Sequence, residues 1–69
     1  MNTTKLKNTI KIQRAKKDLT QQELSDLVHV TRKTINTVEK GKYVPSTILA
    51  LKLAKVLDVT VEELFIVED

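Results

Sequence analysis

Four polar side chains in residues 31–38 can form hydrogen bonds or apolar contacts with the edges of DNA bases. They are Arg32, Lys33, Asn36 and Thr37. Arg and Lys donate to guanine O6 and N7, Asn can pair with adenine through two hydrogen bonds, and a Thr methyl can touch the thymine methyl. If a helix starts near Arg32, all four lie opposite Ile35 and Val38, which would face a core. Taken singly, a short polar helix with Arg and Lys is more often a solvated surface.

A second set of side chains suits DNA phosphates. Thr20 and Gln21 stand where a helix is predicted to begin, and its free backbone N–H groups and positive dipole end attract anions. Lys40, Lys42 and Tyr43 follow the polar helix and can contact the other phosphate strand. Lys16 and Lys17 add positive charge nearby. The capping role of Thr20 is structural in the first place.

Two short helices separated by a tight break are predicted to position these side chains. Thr20-x-x-Glu23 is a capping-box pattern, and Leu24, Leu27 and Val28 then form the apolar stripe of one helix. His29 and Val30 form the break. Thr31 caps the next helix, which Gly41 is placed to end in a left-handed conformation.

Three more helices are predicted around this pair. The first covers about residues 8–17, with apolar Ile10, Ile12 and Ala15. The fourth follows Pro45, with Ser46 as its N-cap and an inward stripe of Ala50, Leu53, Ala54 and Leu57. Asp58-Val59 breaks it, and Thr60-x-x-Glu63 opens a short last helix. Ile66 and Val67 are β-branched, so the two ends of the chain can pair as a two-stranded ribbon.

Composition restricts the class of protein. Sixty-nine residues with 41% hydrophobic content make one domain, residues 1–69, with a small core. Because Cys is absent and His29 is the one histidine, we expect no disulfide, metal or other cofactor. No catalytic pair or Gly-rich phosphate loop is present, so we do not expect an enzyme. No run of residues is apolar enough to predict a membrane span or the apolar region of a signal peptide, so a cytoplasmic location is expected.

Charge is distributed unevenly along the chain. Residues 1–56 hold all 12 Lys and Arg and four acidic residues, whereas residues 57–69 hold five acids, for a net charge of +3. A basic body with an acidic end suits the binding of a polyanion on one face. A solvated Lys-rich surface explains the charge about as well.

The chain resembles the helix-turn-helix proteins of the phage Cro and repressor type, the XRE family, over residues 6–66. The matching motifs are Arg14, Leu19-Thr20-Gln21-x-Glu23-Leu24, Val30-Thr31-Arg32-x-Thr34-Ile35, Glu39-x-Gly41-x-x-x-Pro45-Ser46, Leu51-x-Leu53-Ala54-x-x-Leu57 and Val59-x-x-x-Glu63-Leu64-Phe65. The most similar members are short single-domain repressors such as cytolysin-operon repressors. The resemblance implies an all-α, lambda-repressor-like fold of five helices, with the helix-turn-helix at about residues 20–39.

The resemblance also implies roles for particular residues. Arg32, Lys33 and Thr37, with Asn36, would contact bases, and Gln21 and Thr31 would contact phosphates. Arg14 would form a structural ion pair with Glu39. The chain departs from the family pattern at His29, where Gly is usual, and at Ile48, where the family tends to be polar.

We expect the protein to act as a homodimer, because one recognition helix contacts too few base pairs to be specific. An apolar interface distant from that helix is predicted from the end of the chain. Its candidates are Val56, Leu64, Phe65, Ile66 and Val67, although Leu57 and Leu64 can instead close the core of the monomer.

The sequence therefore predicts a sequence-specific DNA-binding transcriptional regulator. It would act as a repressor on a near-palindromic operator in double-stranded DNA, entering the major groove, with no small-molecule effector evident. The alternative is an antitoxin that binds a toxin and regulates its own operon, although only about four residues follow Phe65 to grip a toxin. A protein adaptor is a weaker alternative, because it has no need of groups that contact bases.

Overall fold

The computed structural model describes residues 5–68, which form five helices and one two-stranded antiparallel sheet. The elements in chain order are β1 (Lys5–Asn8), α1 (Ile10–Lys16), α2 (Gln21–Val28), α3 (Arg32–Glu39), α4 (Thr47–Leu57), α5 (Val61–Leu64) and β2 (Phe65–Glu68). The predicted five-helix fold and terminal ribbon are confirmed. Among the helices of residues 5–68, none has the length and apolar character needed to cross a membrane.

Hydroxyl side chains start four of the helices. The Thr20 hydroxyl accepts a hydrogen bond from the Glu23 backbone N–H, and the Glu23 carboxylate accepts one from the Thr20 N–H, at 3.0 and 2.9 Å. Thr60 and Glu63 form the same reciprocal pair at α5. Thr31 and Ser46 cap α3 and α4 through single bonds. These contacts satisfy N–H groups that have no partner inside the helix.

Left-handed residues turn the chain after several helices. His29 ends α2 at φ 61°, Asp58 ends α4 at φ 58°, and Gly41 follows α3 at φ 74°. The predicted left-handed Gly41 is thus confirmed. Asp and His are among the non-glycine residues that tolerate this conformation best.

The core is apolar and draws on all five helices. It consists of Ile10, Leu24, Val28, Ile35, Val38, Leu49, Leu53, Ala54, Leu57 and Leu64. Burial of these side chains is the main stabilising contribution, because helices of this length are marginal by themselves in water.

The structure differs from the predicted helices in three details. Ile12 and Ala15 are exposed on α1, which begins at Ile10 because Asn8 belongs to β1. Leu27 is 51% exposed, while Ser25 lies inside and donates its hydroxyl to the Gln22 carbonyl. On α4, Leu49 is buried and Ala50 is only half-buried.

The β ribbon packs one of its faces against the helices. In the register, Leu6 pairs with Val67 and Asn8 with Phe65, while Lys7 pairs with Ile66. Side chains alternate between faces along a strand, so Leu6, Asn8, Phe65 and Val67 share one face. That face is the inner one, since Phe65 packs against the core and Asn8 donates to a backbone carbonyl of α3.

Candidate nucleic-acid interface

The break between α2 and α3 is three residues long and held by local contacts. The His29 N–H donates to the Asp26 carbonyl and the Val30 N–H to the Ser25 carbonyl. Thr31 then starts α3, its hydroxyl accepting from the Thr34 N–H at 3.2 Å. The two helices therefore pack directly on each other, with Leu24 and Val28 of α2 in the same core as Ile35 of α3. This is the arrangement of a helix-turn-helix.

The outer face of α3 presents the four side chains predicted to contact bases. Arg32 and Lys33 are exposed at its start, and Asn36 and Thr37 are half-buried one turn later. The Thr37 hydroxyl donates within the helix, to the Lys33 or Thr34 carbonyl at 3.0 Å. Its methyl group is therefore the part suited to a contact with thymine.

Gln21 links α2 to α3. Its Nε2 donates to Asn36 Oδ1 at 3.2 Å and to Glu39 Oε1 at 3.1 Å, and its Oε1 accepts from Arg32 Nε at 3.4 Å. Gln21 was predicted to contact a phosphate. Its bond to Asn36 could not be predicted, because the partner is on another helix. The contact occupies one of the two groups that Asn36 would use to pair with adenine.

The Arg14–Glu39 ion pair joins α1 to the end of α3. Arg14 Nε lies 2.9 Å from Glu39 Oε2 and Arg14 Nη2 lies 3.3 Å from Glu39 Oε1. Arg14 Nη1 also donates to the Leu19 carbonyl at 2.9 Å. Both side chains are largely buried, with 15% and 7% of their surface exposed. Because Arg14 holds both carboxylate oxygens of Glu39, the pair fixes the orientation as well as the position of the end of α3.

Asn8 is a supporting residue that sequence analysis did not identify. Its Nδ2 donates to the carbonyl of Val38 at 2.9 Å, and more weakly to that of Glu39 at 3.4 Å, at the C-terminus of α3. Carbonyls in the last turn of a helix have no partner within it, so this contact satisfies them. Nothing in the sequence connects two positions 30 residues apart, and residue 8 was predicted to begin the first helix.

The loop after α3 brings part of the predicted phosphate-binding set beside α3. Lys42 and Tyr43 border the same shallow depression as Lys33 and Thr37. Lys40 instead borders a wider cleft next to β1, together with Lys5 and Lys7. Thr20 and Thr31 both use their hydroxyls as helix caps. The predicted phosphate-binding residues Thr20, Thr31, Lys40, Lys42 and Tyr43 are all exposed.

The residues predicted for a subunit interface differ in exposure. Leu64 is fully buried in the core, so its assignment to a surface between two copies was wrong. Val56 and Phe65 are half-buried against the core, whereas Ile66 and Val67 are exposed. Leu64 is buried because α5 is a single turn, and its apolar side closes the end of the core.

The fold and the α2–α3 geometry define a helix-turn-helix protein of the XRE, Cro/repressor-like type. The chain belongs to that helix-turn-helix family, whose match extends over residues 10–64. It is a transcriptional regulator with a helix-turn-helix DNA-binding domain, and this family is not a class of enzymes.

Several proteins are similar over most of this chain. An uncharacterised helix-turn-helix transcriptional regulator of Methanocaldococcus jannaschii is 48% identical over 93% of this chain and 97% of its own length. YgzD of Bacillus subtilis, with a description of the same kind, is 42% identical over the same shares. Among crystal structures, the restriction-modification controller protein C.AhdI from Aeromonas hydrophila is 33% identical. The matched region covers 78% of this chain and 82% of the C.AhdI chain, with a TM-score of 0.73.

Proposed function

We propose that the protein represses transcription by binding, as a homodimer, to a near-palindromic operator that overlaps a promoter. The observation that carries this proposal is the outer face of α3, where Arg32 and Lys33 stand exposed beside Asn36 and Thr37. Those four side chains would enter the major groove and contact base edges.

The residues around α3 would hold the helix in register on the duplex. Lys42 and Tyr43, which share a depression with α3, would contact one phosphate strand, and Lys40 lies one residue past the helix. Thr20, Gln21 and Thr31 at the starts of α2 and α3 would contact the other. Contacts of this kind position a protein on DNA without specifying sequence.

Two copies are needed because one α3 spans only a few base pairs. Half-sites on a palindrome lie about 34 Å apart, one turn of the duplex. One copy measures 39 × 21 × 20 Å, which is a size compatible with that spacing between two adjacent copies. A dimer that covers the operator would exclude RNA polymerase from an overlapping promoter.

In-vitro selection from random duplex DNA, at two salt concentrations, tests the proposal. Enrichment of a near-palindrome with two equal half-sites is the expected result, with binding lost steeply at higher salt as counterions compete. Enrichment of a single half-site would contradict the dimer. Recovery of random sequence alone would contradict sequence recognition and favour the antitoxin alternative.

Transcription from a promoter carrying the selected operator separates repression from activation. Purified polymerase should yield less transcript as the protein is added, and the same promoter with a scrambled operator should be unaffected. An increase in transcript would show that the protein is an activator.

A further inference from the structure

A series of polar contacts runs from α1 through α2 to the outer face of α3. It starts at the Arg14–Glu39 ion pair and continues to the side-chain amide of Gln21. The same amide contacts Asn36 and Arg32. The ion pair is largely buried, Gln21 and Asn36 are half-buried, and Arg32 is exposed. An interior ion pair is therefore connected to two of the side chains proposed to contact bases.

The charged groups around Gln21 determine which way its amide lies. The Glu39 carboxylate can only accept hydrogen bonds, and it accepts from Gln21 Nε2 at 3.1 Å. The Arg32 guanidinium can only donate, and it donates to Gln21 Oε1 at 3.4 Å. Arg14 holds both oxygens of the carboxylate in place. A reversed amide would set oxygen against carboxylate and NH2 against guanidinium, so the observed orientation is the favoured one.

The orientation of the Asn36 amide follows from that of Gln21. Because one N–H of Gln21 Nε2 is bonded to Glu39, the other is free to donate to Asn36, at 3.2 Å. Oδ1 is the one acceptor in the Asn36 side chain, so it must face α2. Nδ2 is then left for the outer face of α3, and it donates to no other group within residues 5–68. Asn36 therefore offers hydrogen-bond donors to a ligand and keeps its acceptor inside the protein.

We propose that Gln21 is a positioning residue that makes Asn36 a donor-only group and so directs it to guanine. The proposal rests on the proposed function, in which Asn36 contacts a base edge, and it names the base. Guanine presents two acceptors in the major groove, N7 and O6, and no donor. Adenine presents a donor, N6, beside its N7 acceptor, and pairing with it through two bonds would need Oδ1 in the groove.

The same bonds determine how Gln21 itself can contact DNA. Both N–H groups of its Nε2 are used inside the protein, so the side chain has no donor left for a phosphate. Its backbone N–H stands at the first position of α2, where no acceptor within the helix is available. A phosphate contact through that N–H leaves the amide undisturbed, so Gln21 can serve both purposes.

Binding of the full chain to singly substituted operators tests the proposal. Asn36→Ala identifies the base position that Asn36 contacts, as the position at which preference is lost. The wild type should prefer guanine to adenine there by about tenfold. Gln21→Met keeps the length of the side chain and removes its hydrogen bonds, which frees Oδ1 of Asn36. The ratio of guanine to adenine affinity should then fall by about tenfold or more.

Two controls separate positioning from a merely structural role. Gln22→Met is the matched control, because Gln22 is the next residue, is exposed and bonds to Asp26 of its own helix. It should leave the ratio unchanged. Gln21→Met in an Asn36→Ala background should have no effect at that base position, because Gln21 acts through Asn36. Equal weakening on every operator by Gln21→Met, with an unaltered ratio, would contradict the proposal.

The outcomes for the wild type distinguish failure of this inference from failure of the proposed function. Selection that enriches no operator would overturn the proposed function and the inference with it. An enriched operator at which Asn36→Ala removes no preference would overturn the inference alone. A wild-type preference for any base other than guanine at the Asn36 position would do the same. That last measurement needs no variant of Gln21, so it decides the case even if Gln21→Met fails to fold.

Discussion

Arg32 is the residue on which the proposed base recognition depends most directly. It is exposed at the first position of α3, where a recognition helix enters the groove, and its guanidinium has one weak bond, to Gln21. We expect Arg32→Ala to cost about 1–3 kcal/mol of operator affinity and to relax preference at one base position. Binding to a panel of singly substituted operators measures this. Lys11→Ala, an exposed charge on α1, is the control, and equal weakening on operator and random DNA would contradict base recognition.

Lys42 should contribute to affinity without contributing to specificity. It borders the depression beside α3 and lies outside the helix that is proposed to enter the groove. We expect Lys42→Ala to weaken binding to operator and random duplex alike. The slope of log K against log salt should become shallower by about one unit, because one fewer phosphate is neutralised. Loss of preference at a single base position would instead place Lys42 in the groove.

Arg14 should matter for stability far more than its distance from DNA suggests. Removing it leaves the Glu39 carboxylate largely buried without its cation, a situation that commonly costs about 3–5 kcal/mol. We therefore expect Arg14→Ala to lower the free energy of unfolding by about 3 kcal/mol in urea titrations. Lys7→Ala, which breaks the exposed pair with Glu68, should change it by less than about 1 kcal/mol. Equal effects of the two would show that burial of the pair is unimportant.

Sequence alone predicted some of these residue contacts and missed others. The Arg14–Glu39 pair was available through family resemblance, because both positions match the family pattern. The sequence did not predict two other hydrogen bonds, from Gln21 to Asn36 and from Asn8 to Val38. Each of them joins positions on separate elements. Such contacts depend on how the elements pack, which local patterns do not encode. Whether Arg32, Lys33, Asn36 and Thr37 contact bases stays a prediction.

At the scale of the element, His29 holds the turn between α2 and α3 in a left-handed conformation. A side chain at φ 61° is strained, whereas glycine adopts that backbone readily. We expect His29→Gly to raise the free energy of unfolding by about 0.5–1 kcal/mol, after the added freedom of glycine in the unfolded chain is subtracted. Lys40→Gly is the control. Lys40 ends α3 at φ −77°, so glycine there should destabilise the protein.

The two capping boxes make part of the stability depend on pH. Hydrogen bonds from the Thr60 backbone N–H and hydroxyl lower the pKa of Glu63 below its ordinary value of 4.5, and those of Thr20 do the same for the pKa of Glu23. A group with a lower pKa in the folded state stabilises the fold above its unfolded pKa. That contribution is lost as the pH falls through the folded pKa.

We therefore expect a double variant, Glu23→Gln with Glu63→Gln, to lose less stability than the wild type on acidification. Thermal unfolding midpoints between about pH 6 and about pH 3 measure this difference. Glu62→Gln removes the same charge next to Glu63 without removing a cap, and should follow the wild type. Parallel curves for all three proteins would show that the caps do not carry the pH dependence.

Helix starts were predictable, but the inward side of each helix was predicted less well. Four predicted N-caps are confirmed, because each accepts a local backbone hydrogen bond at the start of its helix. They are Thr20, Thr31, Ser46 and Thr60. Leu27 was wrong because the buried stripe of α2 consists of Leu24, Ser25 and Val28. Its centre lies near Val28, and Leu27 is about 100° around the helix from Val28. The small Ser25 fills the inward position instead, since its hydroxyl is satisfied by Gln22.

At the scale of the whole molecule, the basic and acidic ends of the sequence are brought together by the fold. The ribbon places Lys5 opposite Glu68 and pairs Lys7 with Glu68 at 3.1 Å. Lys17 of the loop after α1 likewise lies 4.0 Å from Asp58. Part of the acidic charge therefore lies beside Lys7 and Lys17, neither of which is among the side chains proposed to contact DNA, so those side chains keep their positive charge.

The same ribbon has a consequence for the order in which the chain folds. Pairing β1 with β2 closes a loop that contains all five helices, whereas contacts such as α2 with α3 join near neighbours in sequence. Local contacts form first because they lose less chain entropy, so we expect the helices to assemble before the ribbon closes. Asn8, at the end of β1, holds the C-terminus of α3, and the last step of folding would therefore also be the one that completes the support of the DNA-binding helix.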